Sequence, residues 1–198
     1  RGEVSFEITS DFDNLIINVD GELKNFSIFD YSLDSFQSRI IYDLNTNTLK
    51  IEDGISQGVD SLLKWDGYFN FKESSVDLDI SVENEKLSRL PFVFEPVFGG
   101  IKEYIDGNES EIDANFRVSG KMTSDKINVV GDVKGRNVLY EGENLDNLDF
   151  KFSYGLAKLH LSDIKGKHDD ATVRGNLYYD FTTNYLEYDA ILENLRAR

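Results

Sequence analysis

"INVVGDVKGRNVLY", Ile127 to Tyr140, joins a β-rich run to two glycines four residues apart and then to another β-rich run. A strand followed by glycines opens many phosphate-cradling loops. A dinucleotide fingerprint, however, needs a third glycine and then a helix whose N-terminus meets the pyrophosphate. Here the chain continues "EGENLDNLDFKFSY", turns and strands with no helical period. Gly131 and Gly135 therefore read as bulge or close-packing positions in an all-β protein.

The rest of the chain agrees. Val76, Leu78, Ile80 and Val82 alternate with Asp77, Asp79, Ser81 and Glu83, giving a strand with one dry and one wet face. Leu63, Trp65, Phe69 and Phe71 share one parity before the turn "KESS". Val173, Leu177 and Tyr179 alternate, "TTN" turns, and Leu186, Tyr188, Ala190 and Leu192 alternate back. An antiparallel meander is expected.

The pattern occurs twice. "INVDGELKNFSIFDY" from Ile17 lines up with "INVVGDVKGRNVLYE" from Ile127, 110 residues on, placing Gly21 on Gly131, and Phe6 and Ile8 on Phe116 and Val118. Tyr42 then falls on Tyr154 and, after a small indel, Gly67 on Gly175. We expect one β-repeat over residues 1–86 and a second over 110–198. Residues 87–109 read as a link, because Pro91 and Pro96 exclude an unbroken helix. Short helical turns are expected at Glu85–Leu90 and Gly100–Ile105.

Ten to thirteen such strands, laid side by side at ~4.8 Å, would make a sheet about 55 Å across. The helical material is at most ~30 Å long. It cannot cover that face, so the sheet must curl, pair as a sandwich, or hold something apolar. A core filled by its own side chains and a groove lined for a ligand both remain open. Candidate lining residues are Ile17, Val19, Ile40, Tyr42, Leu49, Ile51, Leu63, Trp65, Phe69, Val76, Leu78, Ile80, Val82, Val118, Ile127, Val129, Val133, Phe150, Phe152, Tyr154, Leu159, Leu161, Val173, Leu177, Tyr179, Leu186 and Tyr188.

Composition narrows the function. With 21 basic against 37 acidic side chains the net charge is −16, which repels nucleic-acid backbones and anionic membrane surfaces. Without cysteine there is no thiolate nucleophile or zinc–thiolate site. His168 and Asp169 suggest a metal pair, but without further ligands they read as a solvated turn, and His160 falls on the wet parity. Asp77 and Asp79 share a solvent face suited at most to weak calcium binding; Asp11 and Asp13 repeat that spacing by chance. No catalytic residues, metal or cofactor are expected.

The order of elements in "EIDANFRVSGKMTSDKINVVGDVKGRNVLYEGENLDNLDFKFSYGLAKLHLSDIKGKHDDATVRGNLYYD" resembles the TamB/AsmA-like family of the Gram-negative envelope. A strand ending "VSG" is followed by a glycine-punctuated strand, then "LDNLDFKFSY", "LHLSDIKG" and "RGNLYYD". The likeness covers Glu111 to Leu195 well and Ser5 to Leu90 more loosely. It implies a curved, taco-shaped antiparallel β-groove in a long periplasmic protein anchored in the inner membrane. Such a groove carries phospholipid toward the outer membrane and supports outer-membrane biogenesis. The resemblance implies that the anchor, and contacts to an outer-membrane assembly protein, lie outside this segment. The competing expectation is a structural or adhesive β-module with a filled core.

Overall fold

The computed structural model describes residues 2–11, 14–28, 31–58, 61–86, 105–106, 110–122, 126–140 and 143–194. These form thirteen strands: β1 (Gly2–Asp11), β2 (Asn14–Ile28), β3 (Tyr31–Asp43), β4 (Thr48–Gln57), β5 (Leu62–Asn70), β6 (Ser75–Lys86), β7 (Ile105–Asp106), β8 (Glu111–Lys121), β9 (Ile127–Tyr140), β10 (Glu143–Gly155), β11 (Lys158–His168), β12 (Ala171–Asp180) and β13 (Tyr185–Glu193). No helix occurs among the described residues. The hydrogen-bonded order follows the chain from β1 to β6 and from β8 to β13, with β7 placed aside against β9. Among the described residues the terminal strands β1 and β13 each have one neighbour, so the antiparallel sheet is open rather than a barrel.

Two expectations about the link change. Glu85 and Lys86 do not start a helical turn but extend β6, and Ile105 pairs with Tyr140 as part of β7. The remaining link positions lie outside the described residues. The chain forms two compact units, residues 1–82 with 117–127, and 83–116 with 128–198.

Each unit is a meander held by the same local devices. At hairpin turns a short polar side chain accepts backbone N–H groups and a residue in the left-handed region closes the bend. Asp43 Oδ1 accepts from Asn45 N at 2.9 Å, Asn70 Oδ1 from Glu73 N at 2.8 Å, and Asp180 Oδ1 from Thr182 N at 2.9 Å. The left-handed residues are Asn47, Ser74 and Asn184.

Bulges form the second device. Left-handed Asp53 interrupts the β3–β4 ladder between Glu52 and Ile55 and the β4–β5 ladder between Ile51 and Gly54, and left-handed Asp163 interrupts β11–β12 between Leu161 and Ile164. One extra residue reverses the parity of everything after it. Gly54 and Ser56 thus continue the face begun by Leu49 and Ile51. Each bulge N–H is caught by an amide or carboxylate on the next strand: Asp53 N by Asp66 Oδ1 at 2.8 Å, Asp163 N by Asn176 Oδ1 at 3.2 Å. Left-handed Asn84 behaves alike, its N–H meeting Asp113 Oδ1 at 2.8 Å.

The ladders refine the repeat. The row Ile17–Tyr42–Leu49–Phe69 in the first unit matches Val129–Tyr154–Leu159–Tyr179 in the second. Tyr42 does fall on Tyr154. Gly131, however, occupies the place of Val19 rather than Gly21, and Gly175 that of Trp65 rather than Gly67. A two-residue slip keeps every side chain on its face, so glycine matching alone cannot detect it.

Candidate ligand-binding face

Within each unit the paired positions on one face make continuous rows. In the first unit, Phe6–Val19–Ile40–Ile51–Gly67 runs beside Ile8–Ile17–Tyr42–Leu49–Phe69. In the second, Gly131–Phe152–Leu161–Leu177–Tyr188 runs beside Val129–Tyr154–Leu159–Tyr179–Leu186. Val133 faces Phe150, Val173 faces Leu192, Leu63 faces Ser56, and Trp65 faces Gly54.

The expected lining residues fall into three groups. Val76, Ile80, Val82, Val133, Phe152 and Leu159 are buried, which makes them core of their units. Ile40, Tyr42, Leu49, Ile51, Leu63, Trp65, Phe69, Leu78, Val118, Ile127, Val129, Phe150, Tyr154, Leu161, Val173, Leu177 and Tyr179 are half-buried. Leu186 and Tyr188 are exposed. Ile17 and Val19 hold their register positions, and their side chains lie outside the described set.

Two turn aromatics join this face. Phe71 stacks 6.4 Å from Phe69 and stands edge-on to Tyr42 at 6.5 Å. Phe181, 110 residues on, stands edge-on to Tyr179 at 4.6 Å and to Tyr154 at 6.1 Å. Both units thus end in the same aromatic trio, with Phe71 and Phe181 partly open to solvent. Phe181 sits in a turn, beyond the reach of strand alternation; the likeness of "FNFKES" to "YDFTTN" is the signal that finds it. At the other end of β4, Ser56 is buried and its hydroxyl has no hydrogen-bond partner among the described residues.

The glycines make room for this face. A Cβ on Gly54 would strike the Trp65 indole at 1.6 Å, so the ring lies across the bulge. A Cβ on Gly131 would lie 2.3 Å from Asn115 O and 2.6 Å from Phe116 Cβ.

The opposite parity is charged. Arg117 grips Asp77 through two hydrogen bonds of 2.7 Å each, which commits Asp77 to an ion pair rather than to a cation site shared with Asp79. Arg136 pairs with Asp113 and donates to Asn84 Oδ1 at 2.6 Å. Lys86 meets Glu111 at 2.7 Å. Hydrogen bonding from Arg117, Arg136 and Lys86 holds the Asp77, Asp113 and Glu111 carboxyls below their ordinary range. Carboxyls lowered in the folded state contribute stability that is complete above their unfolded pKa and is lost as pH falls through the folded pKa. Asp113→Asn should therefore lower stability more at pH 7 than at pH 3, measured by urea unfolding. An equal loss at both pH values would contradict the ion-pair account.

His168 lies at the β11–β12 turn with Nδ1 against the Asn144 carbonyl, and Asp169 N donates to Asp146 Oδ2 at 3.1 Å. The exposed His160 ring packs 4.5 Å from Tyr178. Among the described residues no group of three or more acidic, histidine or cysteine side chains is placed to hold a metal, and no helix is long and apolar enough to cross a membrane. Comparison with protein-family models, curated proteins and solved structures found no match to this chain.

Proposed function

We propose that this chain is a segment of a periplasmic lipid-transport bridge. Its apolar β-face carries phospholipid acyl chains between inner and outer membrane, in support of outer-membrane biogenesis. The observation that carries the reading is the set of apolar rows within each unit, half-buried at Ile40, Ile51, Leu161 and Leu177, with an aromatic trio beside them and charged ion pairs on the opposite parity. Resemblance to the TamB/AsmA-like family supplies the compartment, the inner-membrane anchor outside this segment and the link to an outer-membrane assembly protein.

The mechanism is passive and needs no catalytic residue. Acyl chains lie along the rows while headgroups remain in water. Burial of a methylene is worth about 0.8 kcal/mol, so a 16-carbon chain gains roughly 10 kcal/mol before ordering costs. Successive rows offer similar apolar sites, which keeps barriers along the face low. Organic extraction of the purified chain followed by mass spectrometry should recover phospholipid at a constant molar ratio. Extracts no richer than those of an unrelated β protein purified alongside would refute the proposal.

The buried state of Val133, Phe152 and Leu159 favours a second reading, a structural or adhesive module whose own side chains fill the face. Lipid-free extracts together with unaltered stability after delipidating chromatography would decide for it.

A further inference from the structure

The hairpin β12–β13 repeats β5–β6 at a spacing of 110 residues. Left-handed Ser74 and Asn84 return as left-handed Asn184 and Asn194, and Asp77 returns as Glu187. Val76, Leu78 and Val82 correspond to Leu186, Tyr188 and Leu192. Their surroundings differ sharply. Val76 and Val82 are 5% and 2% exposed, whereas Leu186 and Leu192 are 51% and 58% exposed.

Among the described residues, β6 has a strand on its outer edge and β13 has none. β8 occupies that edge of β6, whereas β13 pairs with β12 alone among the described residues. Among the contacts that hold β8 there, Met122 N donates to Ser74 O at 2.7 Å, Arg117 forks onto Asp77, and Asp113 receives the bulge N–H of Asn84. β13 presents the matching half of each: the left-handed turn residue Asn184, the carboxylate of Glu187 and the left-handed Asn194. An open strand edge with apolar side chains is a template for pairing.

We propose that the outer edge of β13 docks a partner strand of the β8 type. Such a strand runs antiparallel, is apolar at alternate positions, and carries an Asp to receive the Asn194 N–H and an Arg four residues later to grip Glu187. A second copy of this chain offering β1 suits the edge poorly. At the positions of Asp113 and Arg117, β1 has Glu3 and Glu7, so a carboxylate would face Glu187.

The test uses the whole chain and a labelled peptide with the sequence of Glu111 to Met122. Saturable binding is expected by fluorescence anisotropy, at least about tenfold weaker for the peptide carrying Arg117→Glu. A chain carrying Glu187→Arg should reverse that preference. Hydrogen exchange should show the β13 amides, not those of β1, protected by the peptide. No binding, or binding indifferent to both charge changes, overturns the proposal. Self-association of the chain through β13 that excludes the peptide assigns the edge to a second copy and overturns it as well.

Discussion

Gly131→Ala should destabilise the protein by about 2–3 kcal/mol, although it replaces glycine with a residue of lower backbone entropy in a strand. The new methyl would lie 2.3 Å from the Asn115 carbonyl oxygen and 2.6 Å from Phe116 Cβ, neither of which can swing aside by rotating a side chain. Phe116 and Phe152 are both buried, so relief would have to come from parting β8 and β9. Gly166 is the control. Its added Cβ has one close approach, Val173 Cγ1 at 2.6 Å, a side-chain methyl rather than backbone, with Asn147 O and Leu148 Cδ1 at an ordinary 3.8 Å. Gly166→Ala should cost less than about 1 kcal/mol. Urea unfolding midpoints compare the two, and equal midpoints would mean that close packing is not what keeps residue 131 a glycine.

Leu177→Glu in the full-length protein should abolish most phospholipid recovery and impair the outer-membrane barrier. Leu177 is half-buried between Leu161 and Tyr188 in the central row of the second unit, so a carboxylate there faces the path proposed for the acyl chains. An unpaired charge against hydrocarbon costs several kcal/mol, enough for a more than tenfold loss of bound lipid. The fold should persist because Leu177 is not among the buried core residues. Leu78→Glu should act in the same way in the first unit. Arg174→Glu, an exposed position of the same strand, should leave lipid recovery unchanged. Normal lipid recovery and barrier function in Leu177→Glu at wild-type protein levels would remove the mechanism.

The alternation of Val76, Leu78, Ile80 and Val82 is enough to assign a face, and the paired rows put Ile40, Ile51, Leu161 and Leu177 at register positions of the same kind within their units. What alternation cannot supply is a change of parity. Asp53, Asn84 and Asp163 each insert one residue, so Gly54, Ser56 and Glu85 occupy dry-side positions that a strict period of two assigns to the wet side. The signal was an Asp or Asn inside a strand, the residue types that tolerate a left-handed backbone. Register was equally hidden. Gly21 and Gly131 resemble each other in sequence, but hydrogen bonding puts them one pleat apart, because facial alternation is blind to a shift of two. Burial escaped as well. Nothing in period two separates buried Phe152 from half-buried Phe150; the former is paired with Gly131 and gains the space that glycine leaves.

The strand order has a kinetic meaning. From β1 to β6, and again from β8 to β13, each strand's partner is the one made just before it. Hairpins therefore close between segments close in sequence, where the entropy of loop closure is small, and each finished hairpin offers an edge to the next. A chain built this way can pair its strands in the order in which they are made. Within each of these two runs no strand has to wait for a partner distant in sequence.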